Sequence, residues 1–247
     1  MGFLDFLFGK KKTATSRPTT SSQNRPKPET SKSSTSSVHG TSQLNSSENI
    51  VNSFDEKKLQ GVDLGGGFTL EPLENDFVTD DKFPLFATFT HGTPNIAKWL
   101  PGFDLSTPES AIRYVRACVL RKEMGLGFTY LIKIRGGIVG MMFVNTPTYN
   151  ETTIRFPHWT IDFFLIGMAQ GHGFMPKMLL GFFFYLKNVL HIPEIYSIVD
   201  SRNIQCLSML DKCLFYKKNE NMVFTDPTTG NKAIAFYCNL TTLKNLF

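Results

Sequence analysis

The chain has 247 residues, 41% of them hydrophobic, and a net charge of +5. Residues 1–60 hold nine Lys/Arg and five Asp/Glu and so carry +4 of it; the nearly neutral remainder gives no electrostatic case for nucleic-acid binding. No run reaches 18 consecutive apolar residues, so no membrane-spanning helix is expected, and four cysteines without a CxxC pair or a His cluster predict no metal site and a reduced, cytoplasmic setting.

Met1 to Gly9 is short and apolar and is followed by Lys10-Lys11-Lys12. The charges follow the apolar run, the reverse of a signal peptide. Such a piece suits weak contact with an anionic membrane surface, which would make the protein membrane-peripheral, or with a partner protein, against the plainer reading of a frayed terminus. From Thr13 to Ile50 only Val38, Leu44 and Ile50 are large and apolar. A stretch so poor in apolar area cannot offset the entropy of ordering its backbone, so residues 1–60 read as a disordered tail.

Gly65-Gly66-Gly67 is read as a hinge into a single domain over 65–247. A short strand follows at Phe68 to Leu73. Asp76 to His91 has helical spacing, with Phe83, Phe86 and Ala87 as its stripe and Pro84 shortening or breaking it. Trp99 to Gly102 reads as a turn. Ser106 is the expected cap of the next helix, with Glu109 completing a capping box, Ile112, Val115 and Val119 as its face, and Gly125 as its end. Phe128–Ile134 and Ile138–Val144 form a hairpin around Arg135-Gly136-Gly137. Thr152 to Ile166 is a β-rich run broken at Pro157. Phe174 to Leu190 is a long apolar helix with Phe182, Phe183, Phe184 and Tyr185 as core. Ile195–Val199 is a buried strand, Asn203–Lys212 a short helix, and Leu214–Lys217, Met222–Thr225 and Ala233–Asn239 are closing strands. Helices and strands mixed in this order predict an α/β fold.

Gly167-Met168-Ala169-Gln170-Gly171-His172-Gly173 joins a strand to a helix. Glycines there allow close approach of a ligand and leave N–H groups pointing outward at the positive end of a helix dipole, a seat for a pyrophosphate. Alone, the motif equally describes a tight turn.

The segment Phe68–Leu240 resembles the GNAT N-acetyltransferases, in particular the RimJ/RimL-like branch. Four stretches carry the likeness: Thr69-Leu70-Glu71-Pro72-Leu73, Trp99-Leu100-Pro101, Gln170-Gly171-His172-Gly173-Phe174, and Asn203 through Phe215. The resemblance implies a mostly antiparallel central sheet flanked by helices, and transfer of an acetyl group from acetyl-CoA, with no metal, to a primary amine: a protein N-terminus, a polyamine or a small amine. It implies that the pyrophosphate sits on the 169–174 loop, that the pantetheine arm runs beside Phe164-Leu165-Ile166, and that Asn203 lies near the transfer point. Where the branch has a serine three residues after that asparagine, this chain has Cys206; where it has Gly before the final Phe, this chain has Leu214. The runner-up reading is therefore a catalytically degenerate CoA-binding or interaction module.

Asp162 is the candidate base, two residues from Thr160, where the family often has Glu, and so on the same strand face; its alternative is a structural hydrogen-bonding group at the cleft edge. Cys206, Ser208 and Tyr216 are candidate acids, with Cys206 at the matching position; its alternative is a small buried hydrophobe, and Tyr216 is expected rather to pack or point to solvent. Trp99 and Phe103 are expected on the acceptor side. His158 and His172 are expected to be surface or hydrogen-bonded histidines.

Overall fold

The computed structural model describes residues 53–91, 94–100, 103, 105–147, 157–213, 216–225 and 230–244. The expectations for residues 1–52, for Pro101-Gly102, for 152–156 and for Leu214-Phe215 lie outside them.

Strands β1 (Val62–Asp63), β2 (Phe68–Pro72), β3 (Gly127–Ile134) and β4 (Gly137–Asn145) form an antiparallel run. It continues through β5 (Thr160–Leu165), β6 (Glu194–Asp200), β8 (Lys232–Asn239) and β7 (Lys217–Thr225) in one eight-stranded sheet of order β1-β2-β3-β4-β5-β6-β8-β7. Only β5 and β6 pair in parallel. The β3–β4 turn is two residues long, with Arg135 at φ 50° and Gly136 at φ 78°, the left-handed pair that matches strand twist in a tight hairpin. The two closing strands expected at Leu214–Lys217 and Met222–Thr225 are one, β7, with a register shift between Asn219 and Val223. An irregularity in a ladder interrupts alternation and mimics a break in sequence.

Residues alternate across β3, β4 and β5 up to Ile132, where the β3–β4 register shifts. Thr129, Phe143 and Asp162 share one face, with Leu131, Met141 and Phe164 beside them. This face is covered by α1 (Phe83–His91), α2 (Pro94–Trp99) and α3 (Pro108–Glu123). Phe103 packs edge-on against Phe164 at 4.7 Å, and Phe86 and Phe143 lie parallel to it at 6.4 and 6.3 Å. The opposite face is covered by α4 (Phe174–Asn188), where Phe182 meets Tyr130 at 5.1 Å. Phe182, Phe183 and Tyr185 are core side chains, as expected, whereas Phe184, expected with them, faces the other side of the helix and is only half-buried.

Pro84 stands in the first turn of α1, where a missing N–H costs nothing, and Asn75–Thr79 forms a separate 3-10 turn. The cap of α3 is Thr107, one residue after the expected Ser106. Its hydroxyl accepts from Ser110 N at 3.1 Å and the Ser110 hydroxyl accepts from Thr107 N at 3.1 Å, so Ser110 closes the box in place of Glu109.

The fold also begins earlier than Gly65, and residues 53–60 are part of it. Phe54 packs edge-on against Phe128 at 4.8 Å. Asp55 caps a 3-10 turn over Glu56–Lys58. Tyr185 Oη donates to Lys58 O at 2.6 Å and accepts from Gln60 N at 3.2 Å; Tyr130 Oη lies 3.0 Å from Gln60 O and 2.9 Å from Tyr185 Oη, its one proton shared between these two acceptors. Lys122 reaches Glu56 at 3.3 Å and Glu74 at 2.7 Å. Leu64 fills the notch left by Gly181 in α4, where a Cβ would come within 2.7 Å of it. Two apolar anchors and a set of tyrosine hydroxyls hold this strap, whose local composition is too polar to reveal it. The described residues form one compact unit, and no helix among them is long and apolar enough to cross a membrane.

Candidate active site

Strands β5 and β6 share a single register pair, Thr160 with Tyr196, secured by Tyr196 N donating to Trp159 O at 2.8 Å. One residue further along, a side chain substitutes for the ladder: Ser197 Oγ donates to Ile161 O at 3.3 Å. The Ser197 hydroxyl is held from behind by Tyr216 Oη at 2.9 Å. Past this clasp the strands pair no further. Gly140 on β4 lets β5 lie close against β4, because a Cβ there would overlap the Phe164 carbonyl oxygen. The gap is a cavity of about 910 Å³ between Ile161–Leu165 and Ser197–Asp200, at the upper end of ordinary ligand-pocket size.

The cavity ends at the glycine loop. Gly171 (φ 81°) and Gly173 (φ 71°) are both left-handed, a conformation that costs other residues roughly 1–2 kcal/mol. Gln170 Nε2 donates to Leu165 O at 2.7 Å and fixes the corner. Gly173 is the N-cap of α4 and supplies no side-chain acceptor, and the first turn of α4 holds no acidic residue. The leading amides therefore face the cavity with the helix dipole behind them, ready for an anion.

The far wall is α5 (Ile204–Asp211). Asn203 is its N-cap, accepting from Cys206 N at 3.2 Å through Oδ1. Asn203, Cys206 and Ser208 all line the cavity, as do Trp99 from α2 and Asp162, Phe164, Leu165, Gln170, Gly171, Gly173 and Phe174. Most of the site residues expected from sequence are thus brought to one place. Four candidates stand elsewhere. Ile166 is buried in the core, its N–H donating to Val139 O at 2.8 Å. His172 is exposed and stacks on Phe174 at 5.3 Å. Tyr216 sits behind the wall against Phe183 at 5.5 Å. Phe103 packs beneath Phe164 and is not on the wall. His158 pairs with Glu194 at 2.6 Å, beside the start of β5.

Asp162 lies at the deep end, on the face covered by α3. Burial pushes its carboxyl above the usual aspartate range; the charge of Arg121 and a hydrogen bond from Asn145 oppose that and do not cancel it. Burial, with the Asp162 charge and Cys213 adding to it, pushes the Cys206 thiol up to about 12. Arg121 and Asn145 were not legible as site residues. The available signal was an arginine inside the apolar stripe Tyr114, Cys118, Arg121 of α3, where a solvent-facing side chain is not expected. Among the described residues no group of three His, Cys, Asp or Glu could hold a metal ion.

The family model for the acetyltransferase (GNAT) domain matches residues 69–215. No curated protein sequence matches the chain. Among solved structures, an acetyl transferase from Salmonella typhimurium that modifies the N-terminal serine of 50S ribosomal subunit protein L7/L12 superposes with a TM-score of 0.59 at 12% identity, over 73% of this chain and 99% of that one. Mycobacterium smegmatis RimJ, in complex with CoA-disulfide, gives 0.57 at 13% over 75% and 90%. The microcin C7 self-immunity acetyltransferase, in complex with acetyl-CoA and AMP, gives 0.56 at 12% over 71% and 94%. At these identities the likeness is one of fold.

Proposed function

The chain belongs to the acetyltransferase (GNAT) family, and from that premise we propose that it moves an acetyl group from acetyl-CoA to a primary amine, with Asp162 as the base. The observation that carries the reading is the parting of β5 from β6 above the Ser197 clasp, leading to an uncapped helix start between two left-handed glycines. That geometry fits CoA: amides of the 169–174 loop for the pyrophosphate, and the edges of Phe164-Leu165 and the Asn203 end of α5 for the pantetheine. The thioester supplies an activated acyl carbon, whose C–S bond breaks as a C–N bond forms.

The chain's own residues would do the following. A main-chain N–H near Phe164 donates to the carbonyl oxygen as it gains charge. Asp162 takes one proton from the attacking nitrogen, and the departing sulfur gains one, so the exchange balances. A carboxyl lifted by burial is a stronger base than an ordinary aspartate. Cys206 is a poor donor for the sulfur. A thiol that burial pushes up to about 12 is a weaker acid than the CoA thiol it would have to protonate. Its place is at the wall, shaping the sulfur end.

A single carboxylate suits an α-amine best. At pH 7 roughly a tenth of α-amines are already neutral, against about one lysine in a few thousand. The Salmonella protein, which modifies an N-terminal serine, supports a protein N-terminus as acceptor.

Calorimetry of the full chain with acetyl-CoA, followed by mass spectrometry of N-terminal peptides, polyamines and small amines, tests the reading. Binding with acetyl gain on peptide α-amines is expected. No binding overturns the CoA site; binding without transfer to any amine leaves a degenerate binding module.

A further inference from the structure

Asp162 is approached by a chain of donors that starts in α3. Arg121 is only 6% exposed and lies one turn after Cys118 on the helix face turned to the sheet. Its Nη2 donates to Asn145 Oδ1 at the end of β4. A guanidinium has no acceptor, so this contact fixes which end of the Asn145 amide is oxygen. The Asn145 Nδ2 must then turn toward β5, where it donates to Thr160 Oγ1 at 2.9 Å and reaches Asp162 Oδ2 at 3.5 Å. Asn145 pairs directly with Thr160 in the β4–β5 ladder, which puts Asn145, Thr160 and Asp162 on one face. Room for the guanidinium comes from Gly127: a Cβ there would stand 2.9 Å from Arg121 Nη2 and overlap the Val144 carbonyl.

We propose that Arg121 and Asn145 are positioning residues that orient the Asp162 carboxylate toward the acceptor amine. The proposal rests on the reading of Asp162 as base. One carboxylate oxygen is held by the Asn145 amide, which leaves the other for the substrate nitrogen. Without the relay the carboxylate rotates about its terminal torsion, which is broad for aspartate, and loses the alignment that proton transfer needs.

The relay also sets where Asp162 titrates. Arg121 and Asn145 both favour the charged carboxylate, while burial disfavours it. The other titratable groups facing this spot are Tyr114 and Cys118 from α3 and Cys206 from α5, and burial pushes all three up, so they stay neutral near pH 7. Among the described residues Arg121 is thus the charged group that acts on Asp162. Loss of either relay member moves the Asp162 titration to higher pH.

The test is the pH profile of kcat/KM of the full chain for Asn145→Asp, Arg121→Met and Arg121→Lys, with the KM for acetyl-CoA measured beside it. Asn145→Asp places a second carboxylate between Arg121 and Asp162. Its acidic limb is expected to move up by about one pH unit or more. Its kcat is expected to fall roughly tenfold, with the acetyl-CoA KM within about twofold of wild type, because the pyrophosphate seat is untouched. Arg121→Met is expected to shift the limb the same way, and Arg121→Lys, which keeps the charge, to restore part of it. Should Asn145→Asp not fold, Asn145→Ser, too short to span Arg121 and Asp162, has the same expected direction. A limb that stays in place in the folded Asn145 variant and in Arg121→Met overturns the relay. Asp162→Asn separates the two ideas: if it removes the limb while the relay variants leave it unmoved, only the relay fails; if it leaves activity and limb intact, the base reading fails first.

Discussion

The two halves of the sheet treat their polar groups in opposite ways. On the β1–β4 side, the Tyr130 and Tyr185 hydroxyls bond to each other at 2.9 Å and to the backbone of Lys58 and Gln60, and Lys122 meets Glu56 and Glu74. Those groups saturate one another, and burial raises Tyr130 far above its ordinary titration range. On the β5–β6 side the ladder stops after one pair, a helix starts without a side-chain cap, and a carboxylate faces a cavity. Satisfied polar groups stabilise a fold, whereas groups left open and held in place bind a ligand, at some expense in stability. Substitutions on the two sides should therefore separate stability from activity.

The largest effect is expected from Asp162→Asn, with transfer falling by about 10²–10⁴-fold, measured as initial rates with a peptide α-amine. The same change should raise the melting midpoint near neutral pH. The folded carboxyl titrates above its unfolded value of 3.8, so its contribution is complete below that value and declines as pH rises through the folded one. The gain of the Asn variant should thus vanish in scans below about pH 4. If the variant is both less active and less stable at neutral pH, the contrast between the two sides breaks.

Gly171→Val comes next. A Cβ at Gly171 meets nothing within 4 Å, so the penalty is not a clash but the left-handed backbone at φ 81°. About 1–2 kcal/mol of strain per residue translates into roughly five- to thirtyfold weaker acetyl-CoA binding by calorimetry, if the loop relaxes out of its binding form. Undiminished affinity would remove the loop from the site.

Tyr185→Phe addresses the other side. It deletes the hydroxyl that meets Lys58 O, Gln60 N and Tyr130 Oη and should cost about 1–3 kcal/mol in denaturant titration, with turnover per folded molecule unchanged. Loss of activity in proportion to stability would show that strap and cleft are coupled. Cys206→Ala should be the mildest, within about threefold of wild-type turnover, since a thiol held at about 12 gives no useful proton. A collapse of kcat with CoA binding intact would make it the acid after all.

Several of these features were legible from the residues. The left-handed pair at Gly171 and Gly173, the hairpin at Arg135-Gly136, the shared face of Thr160 and Asp162, and the core spacing of Phe182 and Phe183 follow from backbone sterics and from strand and helix periods, which act over a few residues. The cap of α3 was missed by one residue because Ser106 and Thr107 are both competent caps, and packing chooses between them. Tyr216 packs behind the wall against Phe183, the packing role expected of it.

By itself, then, the chain's order of residues determined which segments become strands and helices, where an anion seat could form and which carboxylate shares a face with Thr160. Only the tertiary structure decided that β5 and β6 part above Ser197, that Arg121 and Asn145 converge on Asp162, and that residues 53–64 bind back onto Tyr130 and Tyr185. The reason is range. Local conformation is fixed by neighbours a few bonds away, but Arg121 and Asn145 are 24 positions apart and Lys58 and Tyr185 are 127, and such pairs meet only when the whole core has closed.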